Sequence, residues 1–245
     1  MRVLRLGFTL SEALVAMAII GIIATMTIPQ VIQNTLKNQA GAVLGRTVEQ
    51  IETGCQNMIQ KANDNITVYD GGYYDGLAGL TTKEVFGSGN KKLSGPGLFD
   101  NGSSFFGLTP IEDSATYIAS LKDFSGNTLN ASVQPLNSTK VYSLNKQKAI
   151  VFLSNNDASV SEFNDFNTAI YIDVNGIAKP NRGGKDVFIF GLTNQGKLIP
   201  RGTKLYQQKY YSGAPLYEND CKEGNVKTGW SCAAKVVKDG YRITY

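Results

Sequence analysis

The sequence predicts an α+β fold: one long N-terminal α-helix, half apolar all round and half amphipathic, packed on a small antiparallel β-sheet. Two observations predict it. Apolar residues persist from Phe8 to Ala62, first as a continuous run and then at helical spacing. Later in the chain the apolar residues fall into runs of three to five, separated by turn-forming residues. Short strands joined by tight turns pair most simply as an antiparallel sheet, and the amphipathic half of the helix supplies a surface to cover it.

The helix comes first. Only Glu12 is charged between Phe8 and Leu36, and the core from Ala13 to Ile28 has no polar groups beyond Thr25 and Thr27. At about 1.5 Å per residue, Phe8 to Ile28 spans roughly 30 Å, the thickness of a bilayer core. Arg2 and Arg5 precede the run and place the leader on the cytoplasmic side. Pro29 removes a backbone donor and crowds the turn before it, so a helix kink is expected there. Beyond it Ile32, Leu36, Ala40, Val43, Val48, Ile51, Cys55, Met58, Ile59 and Ala62 form one face. Gln33, Lys37, Arg46, Gln50, Glu52 and Lys61 form the other, and Asn63-Asp64-Asn65 ends the helix.

Residues 66–110 are rich in glycine and aromatics and read as an ordered, turn-rich connection with one short strand or helix. Pro110 opens a short helix over Ile111 to Phe124. The expected strands are Lys140–Leu144, Ala149–Leu153, Ala169–Asp173 and Val187–Gly191, then a short Lys197–Ile199 and an edge at Arg242–Tyr245. Lys204 to Tyr217, with four tyrosines, reads as a surface loop whose rings cover the sheet.

Composition narrows the chemistry. The 245 residues suit one globular domain plus a long helix, and 42% apolar content is that of an ordinary folded protein. There is no histidine, which removes Ser-His-Asp and Cys-His catalysis and histidine metal sites. The formal charge of +4 is small for a chain of this length, so the net charge gives no nucleic-acid footprint. Outside the cytoplasm Cys221 and Cys232 read as a disulfide closing a short loop, against the alternative of two buried thiols. Cys55 is left over and suits a small apolar packing role.

Two further stretches carry a weaker signal. Asp173, Asn175, Asn181 and Asp186 are oxygen donors among glycines, and Asp173, Asn175 and Asp186 are the candidate calcium ligands. The spacing is not that of an EF-hand, and an Asx-turn connection without metal accounts for the same residues. Gly191 to Leu198 approaches a phosphate-binding loop, but Leu198 stands where a hydroxyl must hold magnesium, and Ile199-Pro200 follows in place of a helix. No cofactor is expected.

Three readings of the N-terminus compete. A secretory signal peptide fits the basic start, but a carboxylate lies inside a run longer than such peptides carry. A plain membrane anchor fits if Thr9-Leu10-Ser11-Glu12 is a capping box. The third reading is a resemblance. Gly7-Phe8-Thr9-Leu10-Ser11-Glu12, between a short basic leader and a long apolar helix, resembles the class III leader of type IV pilins and type II secretion pseudopilins. Pro29 also stands where many family members carry proline.

The resemblance implies a pilin-like fold and a structural role without catalysis. Residues 1–7 would be a leader cut after Gly7 by a prepilin peptidase, which would also N-methylate Phe8. Residues 8–29 would be the transmembrane and filament-core helix, 30–62 the amphipathic half of the spine, and 63–245 the globular head with its sheet. Glu12 would serve assembly by pairing with the Phe8 amine of a neighbouring subunit. The implied partners are the peptidase, other pilin or pseudopilin subunits, an inner-membrane platform protein and, indirectly, a cytoplasmic assembly ATPase. The implied location is the bacterial inner membrane, single-pass, with the head facing periplasm or exterior. The head is larger than in the smallest major pseudopilins, which favours a minor or specialised subunit. A membrane-anchored extracytoplasmic binding module that does not polymerise is the alternative function.

Overall fold

The computed structural model describes residues 9–63, 106–129, 141–144, 150–154, 166–193, 195–209, 213–222 and 224–245. These fall into two compact units, residues 1–39 and 40–245. The expected connection over 66–110 lies outside the described residues except at its end.

Helix α1 runs from Leu10 to Asn63 with Pro29 inside it. The first unit holds its apolar part, one stretch long and apolar enough to cross a membrane. Its large side chains are open on every face: Leu10, Met17, Ile20, Met26 and Val31 are all more than half exposed. The two hydroxyls in the run are closed off locally. Thr25 Oγ1 donates to the Ile22 carbonyl at 2.8 Å and Thr27 Oγ1 to the Ile23 carbonyl at 2.9 Å. Such back-bonding pairs both hydroxyl hydrogens within the helix itself.

In the second unit the rest of α1 is amphipathic, with Leu44, Val48, Ile51 and Cys55 buried and Ala40 and Val43 half-buried. Their spacing of three and four residues puts them on one face. Ile32 and Leu36, expected to continue that face, belong to the exposed run.

The remaining elements, in chain order, are β1 Leu108–Pro110, α2 Ser114–Ser120, β2 Val141–Leu144, β3 Ile150–Ser154, β4 Phe166–Asp173, β5 Val187–Thr193 and β6 Leu198–Pro200. Then come α3 Lys204–Lys209, α4 Tyr217–Asp220, β7 Cys221–Lys222, β8 Asn225–Val226 and α5 Cys232–Lys238. Strands β1 to β6 form one antiparallel sheet in sequence order. Strands β7 and β8 form a separate two-stranded hairpin.

The sheet is covered on both faces. Tyr142, Leu144, Ile170, Ile172, Phe188, Phe190 and Leu192 join Leu44, Ile51, Ala233 and Val236 in one core cluster. Val141, Ala169, Tyr171, Val187 and Ile189 turn the other way, toward Tyr117, Ile118, Leu121, Tyr206 and Trp230. Period-2 alternation therefore sorts residues between two cores, and β5 reads as a continuous apolar run. Burial of one such Ile or Phe side chain stabilises by about 1.5–3 kcal/mol.

Three expectations need correction. The helix expected over Ile111 to Phe124 is only Ser114–Ser120. Asp113 caps its start by accepting from the Thr116 N–H, and beyond Leu121 the chain turns extended so that Lys122 can bridge to Thr128 and Arg182. Arg242–Tyr245 is not an edge strand. Tyr241 takes a left-handed φ of 59°, and the segment is held by side chains, with Tyr245 OH donating to the Gly184 carbonyl at 2.8 Å. The stretch read as a tyrosine-rich loop contains α3, and Tyr206 is fully buried beneath it.

Two glycines of α1 set how closely the C-terminal segment approaches. A Cβ on Gly41 would lie 2.0 Å from the Tyr241 carbonyl oxygen, and one on Gly45 would lie 3.1–3.4 Å from the Tyr241 ring. At the sheet's last strand, the Glu52 carboxylate accepts from the Leu198 N–H at 2.9 Å and pairs with Lys197 at 3.0 Å.

Candidate functional site

The N-terminus of α1 is built as a reciprocal cap. Glu12 N–H donates to Thr9 Oγ1 at 3.3 Å, and Thr9 N–H donates to Glu12 Oε2 at 2.9 Å. Thr9 Oγ1 also donates to Glu12 Oε2 at 2.8 Å, and Ala13 N–H reaches the Thr9 carbonyl at 3.1 Å. Two backbone donors that a helix start leaves open are thus satisfied within four residues. Both bonds to the carboxylate use Oε2; Oε1 makes none among the described residues. Gly7 and Phe8 lie outside the described residues.

The loop between β4 and β5 gathers the calcium candidates. Asp173 is fully buried and Asp186 nearly so. Tyr117 OH donates to Asp173 Oδ2, and the Asn175 N–H donates to Asp173 Oδ1 at 3.0 Å, which makes an Asx-turn. The Asn175 side-chain amide donates to Asp186 Oδ2 at 3.0 Å, and the Arg182 N–H donates to Asp186 Oδ1. Every carboxylate oxygen of the pair therefore faces an N–H or O–H donor. A cation would have to displace four of them. The buried amide oxygens of Asn175 and Asn181 face no donor among the described residues. Among the described residues no group of three or more His, Cys, Asp or Glu side chains could hold a metal. The residues present form a hydrogen-bonded turn lattice that holds Asp173, Asn175 and Asp186 together.

Burial, and then the neighbouring Asp186 carboxylate, push Asp173 well above the usual carboxylate range. Burial also raises Asp186. A carboxyl group raised on folding binds its proton more tightly in the native state. Its contribution to stability is present below the unfolded value of about 4 and is lost as pH rises through the folded value. Asp173→Asn imitates the protonated form, with an amide nitrogen facing Tyr117 and an oxygen left for the Asn175 N–H. The variant's stability relative to the parent should rise with pH above about 4, by up to about 1.4 kcal/mol per unit. Denaturant midpoints at several pH values in neutral detergent check this; a difference that stays flat or falls sinks it.

Cys221 and Cys232 form a disulfide, and both half-cystines are buried. Sequence reasoning missed what organises the loop they close. Asp220, 2% exposed, accepts from the N–H groups of Thr228, Gly229 and Ser231 at 2.7, 3.1 and 2.9 Å, and from the Thr228 hydroxyl. The signal for it, an Asp beside a cysteine with Thr-Gly ahead of the next one, was in the sequence but has no register without the fold. Cys55 is a buried free thiol, its pKa pushed up by burial. Gly191 lies in β5, Gly196 takes a left-handed φ of 71°, and β6, which holds Leu198, pairs antiparallel with β5.

Residues 4–28 match a known family description, the prokaryotic N-terminal methylation motif. No curated protein and no solved structure matches the chain significantly. The matched span runs from Leu4 through Arg5, the reciprocal cap around Glu12 and the apolar run up to the residue before Pro29. The N-terminal segment of this chain is therefore a prokaryotic methylation motif, the class III prepilin-peptidase leader of type IV pilins and pseudopilins.

Proposed function

We propose that the chain is a structural subunit, of a minor or specialised kind, of a type II secretion pseudopilus or a type IV pilus. The observation that carries this reading is the methylation motif at residues 4–28 leading into an exposed apolar helix. Prepilin peptidase removes residues 1–7 by cutting after Gly7 and methylates the amine of Phe8. The subunit waits in the inner membrane by residues 8–29, then enters a filament through contacts with other subunits. An inner-membrane platform protein and a cytoplasmic ATPase drive that step, and residues 63–245 form the head outside the membrane.

Glu12 has two tasks in this reading. One carboxylate oxygen completes the helix cap, and the other is open to the methylated amine of a neighbouring Phe8. A carboxylate in hydrocarbon costs about 2.5–3.5 kcal/mol even on mild scales, so an amine partner offsets a real penalty. Glu12→Gln keeps an oxygen for the cap and removes the charge. It should be processed normally but fail to enter filaments, and normal assembly of this variant would exclude the pairing role.

Mass spectrometry of the mature N-terminus from native membranes tests the whole reading. A chain beginning with N-methyl-Phe8 is expected. Persistence of Met1 would shift the assignment to a membrane-anchored binding module that does not polymerise. A start near Thr25 would mean a cleaved secretory signal.

A further inference from the structure

The net charge of the chain conceals a segregation. Residues 179–245 hold twelve Lys and Arg against five Asp and Glu, an excess of seven, while residues 8–178 hold ten against fifteen. Two of the five acids in the basic segment, Asp186 and Asp220, are buried and engaged by N–H donors. The fold then gathers cations from three distant stretches around Phe124. Lys122 exchanges backbone hydrogen bonds with Asn181 and Gly183, at 3.0 Å each, which sets it beside Arg182. Phe124 N–H donates to the Thr228 carbonyl at 2.8 Å, next to Lys227. The Lys185 ammonium stands 4.7 Å from the centre of the Phe124 ring. Lys222 lies across from Asn225 in the hairpin that leads to Lys227.

None of these five cations has an ion-pair partner among the described residues. The one carboxylate on the same stretch, Asp123, is taken up by the N–H and side-chain amide of Asn127 at 2.7 and 2.9 Å. The backbone beneath is fixed. The Cys221–Cys232 disulfide closes the loop, and Gly183 packs so close to Trp230 that a Cβ there would lie 2.8 Å from the indole.

We propose that this surface binds the phosphate backbone of a nucleic acid without sequence preference. Cations without an ion-pair partner among the described residues, on a rigid frame, match a repeating polyanion, each contact releasing a counterion. A folded acidic protein is less well matched, because its interface needs an apolar core. Among the described residues of the second unit the exposed large apolar side chains are only Ile177 and Leu205, and neither belongs to this cluster. The surface lies wholly within residues 40–245 and does not depend on the filament reading.

The test is anisotropy of a labelled short DNA duplex against the full chain in neutral detergent. Binding should weaken with salt with a log–log slope of about −3 to −4, as expected for some four phosphate contacts, or about a hundredfold between roughly 50 and 200 mM. Lys185→Glu with Lys227→Glu should weaken it at least about tenfold, and the corresponding Gln pair less, in line with charge. Thermal midpoints of both variants should stay at the parent value. Absence of duplex binding at low salt, or binding indifferent to both variant pairs, overturns the proposal. So does tighter binding to polyglutamate or to phosphatidylglycerol vesicles than to the duplex.

Discussion

Gly41→Ala should destabilise residues 40–245 by about 2–4 kcal/mol, although alanine is the better helix former by about 1 kcal/mol. The sign follows from contact. The added methyl would sit 2.0 Å from the Tyr241 carbonyl oxygen, and that atom belongs to backbone, not to a flexible side-chain end. Either α1 or the segment carrying Tyr241 and the buried Ile243 must retreat. Gly45→Ala meets only the Tyr241 ring at 3.1–3.4 Å, which can tilt, so gain and loss should nearly cancel. Gly21→Ala meets nothing within 4 Å and should keep the full helix gain locally. Denaturant midpoints of the three variants in neutral detergent give the order. A Gly41 variant as stable as the Gly45 variant would remove the close approach from the account.

The second large effect is at Asp220. Replacement by alanine should cost about 3–5 kcal/mol, because three N–H groups, two of them buried, and a hydroxyl lose their common acceptor at once. The asparagine variant is the sharper probe. It keeps one acceptor oxygen but places an N–H₂ against the Ser231 N–H, which now reaches Oδ2 at 2.9 Å. Its cost should fall between parent and alanine, at about 2 kcal/mol. Hydrogen exchange at Thr228, Gly229 and Ser231 should quicken in both variants while β4 and β5 stay protected. Unchanged exchange at these amides would mean that the disulfide alone holds the loop. Against a typical total stability of 5–15 kcal/mol, either loss is a large share.

These two sites also mark where sequence reading stopped. The spine helix, the capping box and the strands of the sheet were legible, because each leaves a local pattern: a period, a cap pair, an apolar run between turns. The methylation motif at residues 4–28 was legible for the same reason. The second face of the sheet was not. Val187-Phe188-Ile189-Phe190 announces a buried strand, but nothing local says that α2 and α3 cover the side facing Tyr117 and Tyr206. The C-terminal end went wrong as a strand because Ile243 and Tyr245 look β-prone, while the left-handed turn at Tyr241 has no glycine to signal it. Charge segregation was missed because the balance was taken over the whole chain.

Glu52 has a consequence beyond its own helix. Strand β6 closes the sheet on one side, and a closing strand with free N–H groups is a template on which another chain can add. Here the carboxylate of α1 occupies the Leu198 N–H, and Arg201 just past the strand gives its carbonyl to the Ala234 N–H at 3.1 Å. That border is sealed by the fold itself. In the proposed filament subunit, this guards β6 against strand-to-strand addition by another copy. Its association is left to the surfaces that are open.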